Sequence, residues 1–584
     1  MIPRRRKARK RWVRLCLMGL LMALPGVGFG SPPPDWPQWG NNPQHTGAAS
    51  AAGQPLQAIL TDFAYDPFVE DEKAATGGEL LGHFPVPLVD GPDVYMIFKS
   101  GVFTGQGNWF SQIWNVQKLR WNGGRLEPEW VFVSDWTPVP LTYWEPVFQG
   151  VLAGDAIYVP GSGGSVFRVS KATGAGTRIN PFGALDSSRY VAGGLAADKD
   201  GAIVYNAVTA TGQGWLVRIA PDGSTATADF TVLVPSAPRP DDLCPLGIGN
   251  HDPPPWPPPP PATFIFGACG AQRPVLNVVP AIAPDGTIYT VSRADQNDRS
   301  GYLVAVRPDL TPAWSASFAN LVNDGCDVTI PPSGSPGGCR AGATRGVDPA
   351  TGDPPIGRLS DQATSSPVVL PDGSVLFGVY TRYNYARGHL FKFDAAGGLL
   401  ATYDFGWDIT PAVRAHDGTY SILTKDNHYA LGPYCSGGEA CPPEAGRIDI
   451  TSLDPNLVPE WRFSNTNDQS CARESNGGIV CEASDEIGFE WCVNQPAIDA
   501  DGVIYAISED GSLYAVGPDG RLRDSIFLSS ALGAAYTPVS IGPDGRIYAQ
   551  NNGHLFVVGL PVAARQIPAA VDRARPPTRQ LERP

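Results

Sequence analysis

One pattern of alternating apolar and polar positions recurs along the chain. A Pro opens a short alternating run, a Pro-Asp-Gly or Asp-Gly turn follows, and a second run carries Ile-Tyr. A third run follows, and often a fourth that contains Trp. Three copies are close: Pro280-Ala281-Ile282-Ala283-Pro284-Asp285-Gly286-Thr287-Ile288-Tyr289, Pro496-Ala497-Ile498-Asp499-Ala500-Asp501-Gly502-Val503-Ile504-Tyr505 and Pro538-Val539-Ser540-Ile541-Gly542-Pro543-Asp544-Gly545-Arg546-Ile547-Tyr548. Looser copies begin at Pro87, Pro146, Gly194, Pro367 and Pro411, making eight units. Period-two alternation bounded by turn residues predicts strands, and β-branched and aromatic pairs such as Ile-Tyr suit a half-buried pleated surface. Asp-Gly supplies the positive φ of a two-residue hairpin turn.

Third strands read Tyr302-Leu303-Val304-Ala305-Val306 and Ser512-Leu513-Tyr514-Ala515-Val516; fourth strands end Pro312-Ala313-Trp314 and Pro459-Glu460-Trp461. Four antiparallel strands repeated eight times predict an all-β fold, an eight-bladed β-propeller. The last unit holds only three strands, up to Gly559, and Leu56–Phe63 reads as a spare fourth. Its docking there would close the ring and hide two raw sheet edges.

The repeats, with the segment Trp36-Pro37-Gln38-Trp39-Gly40-Asn41-Asn42-Pro43-Gln44-His45-Thr46-Gly47, resemble the PQQ-binding-like (quinoprotein alcohol dehydrogenase-like) propeller repeat family. The resemblance spans most of 36–560. It implies eight blades with an N-terminal strand in the last. Ser170-Lys171-Ala172-Thr173-Gly174 resembles the family's turn before a Trp-bearing outer strand, and Trp314 and Trp461 stand at that strand's Trp position. The resemblance implies that these Trp residues dock blades together; Trp130 reads the same way.

Composition agrees with an all-β chain. Of 584 residues, 67 are Gly and 59 Pro, which disfavour helix interiors, and only 17% are charged. Eight basic residues lie within 1–14, followed by an apolar core from Leu15 to Leu24 and small residues up to Gly30. This predicts a signal peptide over 1–30, export to a periplasmic or extracellular space, and no membrane span in the mature chain. Without that segment 35 basic residues face 57 acidic ones, a net charge of about −22 that repels nucleic acid. The propeller is expected over 31–560, as a monomer. A disordered Pro/Arg tail is expected over 561–584.

Successive units start 59, 48, 86, 87, 44, 85 and 42 residues apart, so three intervals carry long insertions. All nine cysteines after Cys16 lie in those three. In an oxidising compartment they should pair locally as Cys244–Cys269, Cys326–Cys339 and Cys435–Cys441, with two of Cys471, Cys481 and Cys492 joined. Cys492, beside Trp491, is the candidate for a buried thiol. A metal site among them is disfavoured, because no Cys-x-x-Cys or suitably spaced His accompanies them. The run from His251 to Pro261, eight prolines around Trp256, predicts a stiff polyproline II bracket rather than a partner's ligand.

Catalytic chemistry finds little support. The family's dehydrogenases would imply a vicinal Cys-Cys pair against the quinone, or a Cys-x-x-Cys-His haem site, and neither occurs. Acids and amides are plentiful, but nothing in the sequence groups them. Asp198-Lys199-Asp200-Gly201 and Asp499-Ala500-Asp501-Gly502 read as hairpin turns rather than calcium loops. The seven His residues show no zinc spacing; His45 reads as structural and His416 lies beside a turn. Trp109, Trp114, Trp121, Trp130, Trp136 and Trp144 could form a sugar- or peptide-binding face, but filling of gaps between blades is the preferred reading. The expectation is an exported, non-catalytic binding or scaffolding propeller, with no catalytic or metal residues, no cofactor, and a protein or glycan ligand of unknown identity. The alternatives are an enzyme using PQQ with calcium at the central channel, and a carbohydrate-binding propeller.

Overall fold

The computed structural model describes residues 35–78, 80–140, 144–248, 264–319, 321, 341–342, 357–361, 365–381, 388–405, 409–428, 447–484 and 488–561. Eight antiparallel sheets follow one another as blades 1 to 8, with strands over 88–133, 151–179, 189–229, 272–317, 357–405, 412–464, 497–527 and 540–559. Each is a four-stranded meander; in blades 4 and 5 two short segments share the inner position. The strand Ala58–Ala64 pairs with His554–Gly559 and completes blade 8, with Ala58 opposite Gly559 and Ala64 opposite His554. The ring is thus an eight-bladed propeller closed by its N-terminal strand. Among the described residues no helix is long and apolar enough to cross a membrane. Cys326, Cys339, Cys435 and Cys441, the Pro run and both chain ends lie outside the described residues.

The first hairpins at one end of the ring are of two kinds: two-residue loops close blades 1, 2 and 6, among them the expected Asp-Gly turn at Asp417-Gly418, whereas the other Asp-Gly hairpins differ from expectation. Ala283 N–H donates to Thr287 O and Gly286 N–H to Ala283 O, enclosing three residues rather than two. Gly286 has φ +89. The same arrangement closes the loops at Leu370/Ser374, Asp499/Val503 and Gly542/Arg546. A three-residue loop needs positive φ only at its last residue, and Gly286, Gly373, Gly502 and Gly545 supply it; proline is not required, since the Asp499/Val503 loop encloses Ala500, Asp501 and Gly502. Both Asp-x-Asp-Gly motifs are such turns: Asp198 Oδ1 accepts from Asp200 and Ala202 N–H, and Asp499 Oδ1 from Asp501 and Val503 N–H.

Blades meet through a complementary pair of residues. Trp130 of blade 1 donates from Nε1 to Lys171 O in the Ser170–Gly174 turn of blade 2, 3.1 Å away. Trp314 reaches Ala395 O at 2.8 Å, and Trp461 reaches Pro518 O at 3.0 Å, each in the next blade. Each indole lies over a turn glycine, Gly174, Gly397 or Gly520, where a Cβ would come within 2.9 Å of the ring. Outer strands 225–229 and 399–405 carry no Trp, and the turns they face hold Leu310 and Leu457 instead. Both leucines have positive φ (64° and 63°) and are buried. Leu457 joins the apolar cluster of Leu376, Leu390, Ala401 and Tyr403 in blade 5. A leucine accepts an unfavourable backbone conformation where its side chain fills the volume an indole fills elsewhere.

Candidate functional site

An antiparallel meander sends its first and third turns to one end of the ring, and its second turn and the connection to the next blade to the other. The hairpin end is occupied by the chain itself. Trp36 exchanges both backbone bonds with Val89 of blade 1. Leu152 N–H donates to Pro37 O, and the Gln38 amide brackets the backbone of Ala197. Ile282, Val369, Val413 and Ile498 N–H donate in turn to Pro43, Gln44, Thr46 and Gly47 O, and Gln54 N–H donates to Gly545 O in blade 8. One segment thereby satisfies inner-edge groups of seven blades, which would otherwise face the channel unpaired, and ties down the first turn of the eighth. Trp36, Trp39 and His45 are fully buried in it. His45 Nδ1 meets Pro367 O at 2.9 Å, and burial pushes its pKa down to about 4. His45 is therefore a neutral, packed residue.

The opposite face carries every connection between blades, and there the described polar groups cluster. Asp66 follows the strand Ala58–Ala64, and Glu72 lies on the helix Val69–Thr76. His83 comes from the connection to blade 1, Lys99 from near the end of the strand Asp93–Gly101, and Glu145 from the connection to blade 2. All five side chains are buried. Lys99 Nζ forms ion pairs with Asp66 and Glu145 and lies 3.5 Å from Glu72 Oε1. His83 Nε2 lies 3.1 Å from Asp66 Oδ2 and 3.2 Å from Glu72 Oε2, and its Nδ1 lies 3.1 Å from the Tyr65 hydroxyl.

The electrostatics follow from that geometry. Burial opposes a charge on His83, but Glu72 and Asp66 outweigh it and push the imidazole up to about 10. Burial acts on Asp66 too, yet Lys99 and His83 hold it well below the usual carboxylate range. Glu145 is pushed up to about 7, mainly by burial, with Lys99 and His83 offsetting only part. Three carboxylates, one ammonium and one imidazolium therefore nearly balance.

Asp66, Glu72, His83 and Glu145 are close enough to share a metal ion, but the Lys99 ammonium already takes the place such an ion would need. A calcium ion requires six to eight oxygens, and these acids are held by Lys99 and His83. The cluster does not fit the calcium of the quinone-enzyme alternative.

A second group lies on the same face. Cys492 Sγ donates to Glu509 Oε1 at 3.0 Å, and Glu490 is close by. Burial, then Glu509 and Glu490, push the thiol well above its ordinary value, so it stays protonated. On this face Tyr536 packs against Trp144, with ring centroids 5.6 Å apart, and Lys425 Nζ lies 4.3 Å from its ring. Further round, Arg273 is clamped by Asp361 (2.6 and 2.8 Å) and Asp295 (2.6 Å), bracing blades 4 and 5.

Two described insertions stand on this face as disulfide-pinned hairpins. Cys244–Cys269 ties the hairpin of Leu243–Ile248 and Phe264–Ala268, and Cys471–Cys481 ties that of Gln469–Arg473 and Ile479–Ala483. Cys492 is a free, buried thiol. Of the six clustered tryptophans, Trp109, Trp114 and Trp136 are buried, while Trp121 donates to the Tyr548 hydroxyl. The six therefore form no common aromatic face. His416 Nε2 meets Ser421 Oγ at 2.8 Å beside its turn.

The five-residue charged cluster was not anticipated. Its members come from segments up to 79 positions apart in sequence (66 to 145). The one local signal is Lys99, standing in the apolar run Asp93-Val94-Tyr95-Met96-Ile97-Phe98 of a buried strand.

No protein-family model matches this chain, and no curated protein does. Solved structures are similar at low identity. A europium-containing methanol dehydrogenase shares 13% identity at a TM-score of 0.47, over 89% of each chain. The quinohemoprotein alcohol dehydrogenase from Comamonas testosteroni shares 13% at 0.48, over 94% of this chain and 83% of that one. BamB from Moraxella catarrhalis shares 12% at 0.39, over 86% and 99%. The likeness is one of fold.

Proposed function

We propose that this chain is an exported, non-catalytic binding or scaffolding propeller whose ligand face is the one that carries the connections between blades. The observation that supports this most is the segment 36–54, which crosses the other end and bonds to all eight blades, so that the face it leaves uncovered is the one carrying the connections. Loops on a rigid scaffold are where recognition residues concentrate, and two insertions there are held by disulfides. The disulfides also support an oxidising compartment. The buried acids of that face bond to Lys99 and His83, which favours a structural role for them over cation binding.

The test is reconstitution of the purified protein with PQQ and calcium, followed by dye-linked oxidation of alcohols and sugars and by thermal unfolding. The reading predicts no turnover and no calcium-dependent rise in Tm. Turnover together with a saturable rise in Tm would favour the dehydrogenase alternative.

A further inference from the structure

The hairpin of Gln469–Arg473 and Ile479–Ala483 has one occupied edge and one open edge. On the inner side Arg473 N–H donates to Ser529 O, and Ala531 N–H donates to Cys471 O, so the backbone groups of residues 471 and 473 point toward the connection between blades 7 and 8. Those of Ala472 and Ser470 therefore point the other way, toward Val480 and Glu482, their direct partners. By the alternation of an antiparallel ladder, the N–H and C=O groups of Ile479, Cys481 and Ala483 face outward. Among the described residues no strand pairs with that edge.

Edge strands are normally protected by Lys, Pro, a bulge or a cover. Ile479–Ala483 has no Lys or Pro, its register is unbroken, and all five residues are exposed. Ile479 is 48% exposed and Val480 50%. The Cys471–Cys481 disulfide ties the two strands at directly opposed positions, so the edge is ordered before anything binds, which lowers the entropic cost of association.

Charge identifies the occupant. From Glu474 to Glu490 the chain carries five acids and no Lys or Arg, and Glu474 and Glu482 are exposed on the hairpin itself. The preceding cation, Arg473, is turned inward, its guanidinium donating to Leu528 and Phe527 O at 2.9 Å. We propose that the edge Ile479–Ala483 binds an extended, basic segment of a partner protein by strand addition. Main-chain bonds to residues 479, 481 and 483 supply the affinity, and Glu474 and Glu482 select Lys or Arg. A second copy of this acidic chain is disfavoured by like charge. The proposal deepens the binding-module reading and rests on it; dehydrogenase turnover would sink that reading, whereas failure of the peptide below sinks only this edge.

The test uses the full oxidised protein and a synthetic hexapeptide of alternating Arg and Val, read by residue-resolved amide hydrogen exchange and by calorimetry. Peptide binding should slow exchange at Ile479, Cys481 and Ala483 at least about tenfold while leaving Val480 and Glu482 unchanged. N-methylation of alternate peptide amides, or Glu in place of Arg, should abolish the effect. Ile479→Pro should weaken binding by about tenfold or more with an unchanged Tm, because the lost N–H faces away from the ladder. Glu474→Gln with Glu482→Gln, which leaves the backbone intact, should weaken it and flatten its salt dependence. No protection at millimolar peptide, equal protection by the Glu peptide, or pairing of two copies through this edge in sedimentation would each overturn the proposal.

Discussion

The two ends of this propeller obey different rules. At the hairpin end, short turns rich in Asp and Gly recur, and the N-terminal segment bonds to the inner strands of blades 1 to 7 and to the first turn of blade 8. At the other end the connections differ in length; the described ones hold the disulfide hairpins, the Arg273–Asp361 brace and the buried cluster around Lys99. The topology of a meander explains the division. Short turns are constrained by strand twist and tolerate few sequences, whereas connections between blades can lengthen without disturbing a ladder. Regularity is concentrated at one end and chemical variety at the other.

The largest expected effect tests whether charge balance at the variable end is structural. Lys99→Met would leave Asp66, Glu72 and Glu145 buried without their ammonium, at a cost of about 3–5 kcal/mol in unfolding free energy. Part of that loss should return near pH 5, where the raised pKa of Glu145 lets it bind a proton. Denaturant titrations at the two pH values would measure both. An unchanged midpoint at pH 7 would remove Lys99 from any structural role.

His83 sharpens the same point. Its pKa is raised from 6.5 to about 10, so its contribution is complete below about pH 6.5 and is lost as pH rises through 10. The wild-type Tm should drop by several degrees between pH 7 and 10, and less in His83→Gln. Identical slopes would mean that the imidazolium adds no stability.

A smaller effect separates packing from backbone strain. Leu457 has positive φ but is buried, so Leu457→Gly should destabilise by about 1–3 kcal/mol despite the relieved strain. Leu532 has φ +54 and is 40% exposed; Leu532→Gly should be neutral or stabilising by up to about 1 kcal/mol. Equal losses at both sites would contradict the view that Leu457 stands in for a docking indole.

The same contrast explains what could be read from the sequence. Units beginning at Pro280, Pro496 and Pro538 were legible because strand, turn and strand are adjacent, and alternation reports burial directly. The closing strand was legible because blade 8 lacked a fourth. The turn type was legible only in part: Asp417-Gly418 is the expected two-residue turn, whereas the Asp-Gly turns at 285–286, 501–502 and 544–545 take in one more residue, with and without a Pro there. The cluster of Asp66, Glu72, His83, Lys99 and Glu145 was not legible. Closure of the ring juxtaposes blade 8, the helix Val69–Thr76, blade 1 and the connection to blade 2, and no local period encodes that meeting.

Everything rests on one segment tying all eight blades into a closed ring. Amide hydrogen exchange at Leu152, Ile282, Val369, Val413 and Ile498, the donors to Pro37, Pro43, Gln44, Thr46 and Gly47, tests this directly. The account predicts that all five exchange only through one common, global opening. Exchange of any of them at the rate of an unstructured peptide, or at separate rates blade by blade, would contradict it.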